Sequence, residues 1–288
     1  MNRKYVIDYL YRNYFNAVSK PREDINVVAQ KVGYELFYLK IRTTREVSEN
    51  KKGLLTKYLH RIKKLLVFFD ALFKIKNNSV VLIQYPLSPF GNFLSKYFCL
   101  GLRKKSCRLI ILVHDIAAYR ETGYIPKSEI GVLNLAHHII LHTPAMQVLF
   151  NRVEIKPPMS SLYLFDYLTE EYPIIQNTIC SEVSFAGNLE KSTFLHHIHK
   201  ISFKKLKINL YGLPTNQIKE TNEIRYCGKF SPEKINAIKG NWGLVWDGES
   251  LDTCSGLFGN YLQINSPHKT SLYLAAGIPI IVWKQSDL

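Results

Sequence analysis

Two segments of this sequence, Ser79–Gln84 (SVVLIQ) and Cys107–Val113 (CRLIILV), are almost unbroken runs of apolar side chains, and this limits what the chain can become. A strand with one wet face alternates apolar and polar residues. A strand without alternation has both faces covered, as in parallel sheets flanked by helices. Longer amphipathic segments separate these runs, the order expected of βα units. Tyr5–Tyr9, Glu35–Leu39 and His138–Leu141 read as further strands of the first half. A polar loop over Arg12–Lys20 leads into a helix from about Pro21, where proline suits the first turn, and Gly33 ends it. Glu129–Ala136 also reads as a helix. Pro157, Pro158 and Pro173 mark the end of one series of units. The next has strands at Glu182–Phe185, Lys207–Tyr211, Leu244–Trp246 and Ile278–Trp283. The expected fold is α/β: two doubly wound domains, 1–170 and 171–288, facing a cleft, with ligands beyond the carboxyl ends of the strands. A length of 288 residues is enough for two such cores.

Charge is distributed unevenly over this frame. The formal net charge is +15, and residues 1–110 carry all of the excess, with 22 Lys and Arg against 7 Asp and Glu. The rest of the chain has 16 of each. An anionic partner is implied on the first half, and membrane surface, nucleic acid and phosphorylated substrate all satisfy that. Leu54–Lys76 sharpens the question. Leu54, Leu55, Tyr58, Leu59, Ile62, Leu65, Leu66 and Phe69 recur at helical spacing, with Lys57, Arg61, Lys63, Lys64, Lys74 and Lys76 between and after them. Such a helix either packs its apolar stripe on a sheet or lies at an anionic lipid surface. The longest apolar runs fall far short of the ~18–20 residues of a membrane span. Asp8 and Arg12 interrupt any signal-peptide core near the N-terminus. Five scattered cysteines, without a C-x-x-C pair, point to a reduced cytoplasm.

Four places carry candidate chemistry. Phe185–Ser192 is a strand, a glycine turn and a helix start, where free amides with Lys191 could hold a phosphate; an ordinary βα turn reads the same way. Trp246–Gly256 is a long polar loop after an apolar strand, with Asp247 and Asp252 beside glycines. In Asn265–Ser271, Pro267 starts a helix, so His268, Lys269, Thr270 and Ser271 occupy its first turn. A lysine there opposes the helix dipole unless an anion sits beside it, and the group describes a diphosphate seat; a Ser-Pro helix start with an exposed lysine reads the same way. His114 and Asp115 end a buried strand and could act in acid–base catalysis on a sugar hydroxyl, or serve only as hydrogen-bonded structural residues. His137, His138 and His142, like His196, His197 and His199, lack the spacing of a zinc motif, so no metal is expected. There is no Walker motif and no G-x-G-x-x-G.

Gly243–Gly256 and Asn265–Gly277, supported by Ile111–Asp115, Leu164–Leu168, Phe185–Leu189, Leu210–Gly212 and Pro232–Ile235, resemble bacterial GT-B glycosyltransferases of one group. That group contains β-1,6-galactofuranosyltransferases of surface-polysaccharide synthesis and the glucosyltransferases of serine-rich repeat adhesins. The resemblance covers nearly the whole chain. It implies two Rossmann-like domains, the second binding a UDP-sugar and the first a glycan, glycolipid or glycoprotein acceptor. It places Asn188, Lys191, Tyr211 and the Asn265–Ser271 turn at the donor site, with Asp247 and Asp252 on the adjoining loop, and makes Asp115 or His114 the candidate base. The implied reaction is hexosyl transfer, of galactofuranose or glucose, from UDP to a saccharide hydroxyl through an oxocarbenium-like transition state. No cofactor or metal is expected, since Lys191 and Lys269 can meet the charge of departing UDP and no Asp-x-Asp motif is present. Family members continue into helices that cross back to the first domain, and that crossing helix is expected to be absent after Leu288. The expected setting is cytoplasmic, peripheral at an anionic inner membrane face, with no nucleic acid partner and with homo-oligomers. The alternative is a non-catalytic subunit of the same fold assisting an active transferase.

Overall fold

The computed structural model describes residues 2–9, 19–41, 54–174, 181–200 and 206–288. Most of the Arg12–Lys20 loop and Cys180 lie outside these residues. The chain divides into two compact units. The first comprises 1–13, 22–118 and 124–162; the second comprises 14–21, 119–123 and 163–288.

The first unit is built on a sheet of six strands: β1 (Lys4–Tyr9), β2 (Glu35–Leu39), β3 (Val80–Tyr85), β4 (Arg108–Val113), β5 (His138–Leu141) and β6 (Met159–Ser161). Their order is β2-β1-β3-β4-β5-β6, and every pairing is parallel. The two apolar runs of the sequence are β3 and β4, paired in register from Val80↔Arg108 to Tyr85↔Val113 near the middle of the sheet. Its helices are α1 (Ser19–Lys31), α2 (Leu54–Lys74), α3 (Gly91–Lys104), α4 (Ala117–Thr122), α5 (Lys127–Leu133) and α6 (Pro144–Arg152), with the start of α1 and most of α4 counted in the second unit. Gly33 follows α1 at φ +87°, the left-handed position that favours glycine after a helix. Phe68 of α2 packs edge-on against Phe90 and Phe98, with ring centroids 5.9 Å away in each case. The Lys105 ammonium closes the end of α2, donating to the carbonyls of Leu72, at 2.5 Å, and Ile75, a cation at the negative pole of the helix.

The second unit holds β7 (Glu182–Ala186), β8 (Lys207–Tyr211), β9 (Ile224–Tyr226), β10 (Trp242–Val245) and β11 (Ile280–Val282). The order is β11-β10-β7-β8-β9, again all parallel. Helices α7 (Gly256–Leu262) and α8 (His268–Ala275) complete it, with 3₁₀ turns at Thr193–Lys200 and Ile235–Ala237. Each sheet therefore has one point where the strand order reverses: between β1 and β3 in the first, between β7 and β10 in the second.

The expected fold class is found, with corrections of detail. β10 lies earlier than the expected Leu244–Trp246, β11 is shorter than Ile278–Trp283, and the edge strands β6 and β9 are additions to the expected set. The division of the chain falls at Leu162–Tyr163 rather than at 170. Its cause is local. Tyr167 stacks on His268 with centroids 5.0 Å apart and donates its hydroxyl to the Pro232 carbonyl at 2.6 Å, which ties this segment to the second unit.

Candidate functional site

In a doubly wound sheet, the chain leaves neighbouring strands in opposite directions at the reversal point, which opens a crevice at their carboxyl ends. In the second unit that crevice lies between β7 and β10. The two strands pair only at Trp242↔Val183 and Gly243↔Ser184. Beyond them the Tyr273 hydroxyl of α8 bridges the gap, accepting from the Ala186 amide at 2.8 Å and donating to the Leu244 carbonyl at 3.4 Å. Tyr273 is fully buried, and its ring crosses Gly243 so closely that any Cβ there would overlap it. The glycine of the Gly243–Gly256 segment thus allows α8 to sit down over the crevice.

This placement sets Lys269. Its ammonium donates to the carbonyl of Trp246, the residue after β10, at 2.9 Å. It also lies 4.5 Å from the centroid of the Phe185 ring on β7. Burial pushes its pKa below that of free lysine, while the Asp247 carboxylate and the Cys254 thiol oppose the shift. A cation is therefore held, partly desolvated, over the ends of both strands. Around it, Asn265 Oδ1, His268 Nε2, Thr270 Oγ1 and Ser271 Oγ are buried without a hydrogen-bond partner. One such atom in a folded protein calls for an explanation, and four within seven residues point to a missing ligand. Pro267 at the N-cap supplies no side-chain acceptor for the first turn of α8. The helix N-terminus adds its positive pole to the Lys269 charge.

His268 is shaped by its neighbours. Burial is the main reason that its pKa is lowered to about 4, with the Lys20 charge adding to it and a bond to the Asp166 backbone opposing. Lys20 lies 4.8 Å from the Tyr167 ring centroid and donates to the Leu168 carbonyl at 2.5 Å. The imidazole is neutral at pH 7, which makes Nε2 an acceptor if the Asp166 carbonyl receives the Nδ1 proton. The sign of its contribution to stability follows. Between pH 6.5 and 4 the unfolded chain takes up a proton that the folded chain refuses, so the stability present above 6.5 is lost as the pH falls toward 4. Thermal unfolding across that range should show the midpoint falling with pH. His268→Phe, which keeps the stack on Tyr167, should flatten the slope.

The remaining donor-side candidates are placed less centrally. The Asn188 side chain accepts from the Lys191 amide at 3.1 Å, closing the turn after β7, and both residues are exposed. Tyr211 is a core residue whose hydroxyl accepts from the Lys239 amide at 2.8 Å. Asp247 caps its own loop through the Gly248 amide at 3.0 Å, and Asp252 is exposed. The loop is tied to the turn after β7 by two bonds to the Gly248 carbonyl, from the Phe194 amide and the Thr193 hydroxyl, both 3.1 Å.

His114 and Asp115 follow β4 in the first unit. His114 Nε2 lies 2.7 Å from Gln84 Oε1. The Gln84 amide donates to Asn26 Oδ1 at 2.7 Å, and the Asn26 amide to Asp8 Oδ2 at 2.8 Å. A carboxylate only accepts, so Asp8 fixes the orientation of each amide in turn, and the chain ends by placing the proton of His114 on Nε2. Arg22 holds Asp8 through a buried 3.0 Å ion pair and donates to the carbonyls of Gln84 and Pro86. Behind Asp115, burial raises the pKa of Glu129; the Tyr85 hydroxyl, donating to it at 2.8 Å, opposes this and the Asp115 charge adds to it. None of Asp8, Arg22, Asn26, Gln84 or Glu129 is apparent from spacing. The one signal is their polarity inside otherwise apolar strands and helix faces.

Among the described residues, no group of three or more His, Cys, Asp and Glu is placed to hold a metal. Two members of the first histidine cluster have structural partners: His137 Nδ1 accepts from the Leu109 amide at 3.0 Å, and His138 pairs with Ser160.

Comparison with known proteins gives matches over both units. A family model described as glucosyltransferase 3-like, N-terminal domain, matches residues 4–164. Its C-terminal-domain counterpart matches 183–288. The chain is 31% identical over 223 residues to the β-1,6-galactofuranosyltransferase WbbI of Escherichia coli (strain K12), covering 74% of this chain and 62% of that protein. It is 27% identical over 214 residues to Glucosyltransferase 3 of Streptococcus gordonii, covering 70% and 59%. It thus spans roughly three-fifths of the relatives it matches. A solved structure of a single-residue mutant of TarM from S. aureus, in complex with Fondaparinux, alpha-GlcNAc-glycerol and UDP, aligns with a TM-score of 0.47 at 11% identity, over 75% of this chain and 44% of that one.

Proposed function

We propose that this chain, which belongs to the glucosyltransferase 3-like family, transfers a hexosyl group from a UDP-sugar to a saccharide acceptor in cell-surface polysaccharide or glycoprotein synthesis. The observation that carries the proposal is the half-buried lysine at the β7/β10 reversal point, near four buried polar atoms without hydrogen-bond partners. A sugar nucleotide offers what this site lacks. Its diphosphate meets the Lys269 ammonium, the hydroxyls of Thr270 and Ser271 and the first-turn amides of α8. Its hydroxyl groups can donate to His268 Nε2 and Asn265 Oδ1.

Bond cleavage leaves negative charge on the β-phosphate as the sugar gains oxocarbenium character. A preorganised cation and oriented amides stabilise that charge more than the ground state, which is the condition for catalysis. Lys269 suits this role because an arriving anion reverses the effect of its burial and holds the proton on the ammonium. In the first unit, His114, held through Nε2 by Gln84, is a candidate for the base that accepts the proton of an acceptor hydroxyl. Asp115 beside it is the second candidate for that base. The hexose is galactofuranose or glucose, the reaction takes place in the cytoplasm, and no metal is needed.

The test is a screen of UDP-hexoses, UDP-galactofuranose and UDP-glucose included, for thermal stabilisation and then for UDP release with acceptor glycans. A matched donor present at about a hundredfold over its Kd contributes roughly 2.7 kcal/mol, enough to read as several degrees in Tm. Stabilisation without UDP release from any donor–acceptor pair would favour the non-catalytic subunit. No stabilisation by UDP or any UDP-sugar would end the proposal.

A further inference from the structure

The α2 helix has two apolar faces, and one has no partner among the described residues. Phe68, Ala71 and Ile75, just past the helix end, are buried against the first unit. On the other face, Leu55, Leu59, Ile62, Leu66, Phe69 and Phe73 follow one another at alternating steps of four and three residues, so they form a single stripe along 21 residues of helix. All six are exposed; Leu55 is 70% accessible, Leu66 64% and Phe73 85%. Tyr58 and Leu65, also exposed, widen the stripe on one side. A stripe of this extent does not stay in water without a use.

What borders the stripe selects its partner. Arg61 and Lys63 border the stripe on its two sides, Lys57 and Lys64 lie on the opposite side of the helix, and the helix's one acid, Asp70, is paired with Lys74 at 2.9 Å. The cations crowd one another: His60 and Lys64 both have lowered pKa values, through burial first and then through neighbouring Lys and Arg charges. Two copies of this face packed antiparallel would set Arg61 and Lys63 of one against those of the other, whereas coiled-coil partners place opposite signs beside the seam. The wider context has the same sign, since the entire +15 excess of the chain lies in residues 1–110. No helix among the described residues is long and apolar enough to cross a membrane. Leucine and aromatic residues on one face with lysine and arginine beside them form a surface that lies in the lipid headgroup region, parallel to the bilayer.

We propose that the outward face of α2 docks this protein on an anionic membrane, the Leu55–Phe73 stripe entering the headgroup boundary and the flanking Arg61 and Lys63 meeting lipid phosphates. The inference is independent of the transfer reaction and stands or falls on lipid binding alone. Vesicles of phosphatidylcholine, with and without about one-third phosphatidylglycerol, provide the probe for flotation of the whole chain. The chain should float with the anionic vesicles, not with phosphatidylcholine alone, and lose most of its binding between about 0.1 M and 0.5 M salt. Leu66→Glu and Phe69→Glu should each weaken binding by about tenfold or more, and Lys63→Gln by about fivefold. These side chains are in solvent, so circular dichroism and the unfolding midpoint should stay those of the unaltered chain, which separates loss of docking from loss of fold. The proposal is overturned by absence of binding to anionic vesicles, or by binding indifferent to Leu66→Glu and Phe69→Glu. A dimer in sedimentation that Leu66→Glu disperses, without lipid binding, would assign the stripe to a second copy and overturn it equally.

Discussion

Lys269→Met should lower the affinity for UDP about a hundredfold, read by titration calorimetry at pH 7. Methionine keeps an unbranched apolar side chain in place of the lysine, so the change removes the charge, its donor and its contact with the Phe185 ring while largely keeping the volume. A charge-assisted bond to phosphate contributes about 1.5–3 kcal/mol, or roughly 10- to 150-fold in affinity. The upper part of that range applies because the ammonium is held away from bulk water. The same substitution relieves the fold of a partly desolvated cation, so stability without ligand should change little or rise. Binding and stability are thus predicted to move independently, as expected of a residue kept for function at some cost to folding. A Lys269→Met protein that unfolds normally and binds UDP with unaltered affinity would remove the donor site from α8.

The second large effect is expected from one methyl group. Gly243→Ala places a Cβ within the Tyr273 ring, at a position enclosed by β10, β11 and α8. The ring cannot withdraw freely, because its hydroxyl is bonded to the Ala186 amide on one strand and the Leu244 carbonyl on the other. Overpacking of this kind costs about 1–3 kcal/mol, and displacement of Tyr273 leaves the Ala186 amide buried without an acceptor, adding a penalty of similar size. Denaturant unfolding should therefore show a loss of several kcal/mol. Tyr273→Leu should also destabilise. The two substitutions together should cost less than the sum of each alone, because leucine removes the ring that the new methyl meets. Strict additivity would mean that the glycine is not there to admit the ring.

The parts of this fold that are legible in the sequence are those where both faces of a segment are covered. The β3 and β4 runs state their environment directly, because a parallel strand between two helical layers has no wet face to encode. β6 and β9 sit at sheet edges with one neighbour each, and a three-residue strand such as Met159–Ser161 carries no pattern to read. The Pro267 helix start and Lys269 are visible because both depend on residues adjacent in sequence. Resemblance assigns Tyr211 to the donor site; the partner of its hydroxyl, the Lys239 backbone, is 28 residues away and invisible in the local sequence. Tyr273, which bridges β7 and β10, looks like an ordinary helix residue until α8 is laid across β10. The Asp8–Asn26–Gln84–His114 chain is hidden for the same reason. Each member is a lone polar residue in an apolar setting, and only the strand order β1-β3-β4 brings them into line.

The second unit draws on three separate stretches of chain, 14–21 and 119–123 as well as 163–288. An expression fragment cut at the apparent linker would therefore lack Lys20 and with it the charge beside the Tyr167–His268 stack. On the ribosome, these short contributions emerge well before the strands they will join. The second unit cannot be excised, grafted or permuted as a module unless 14–21 and 119–123 go with it.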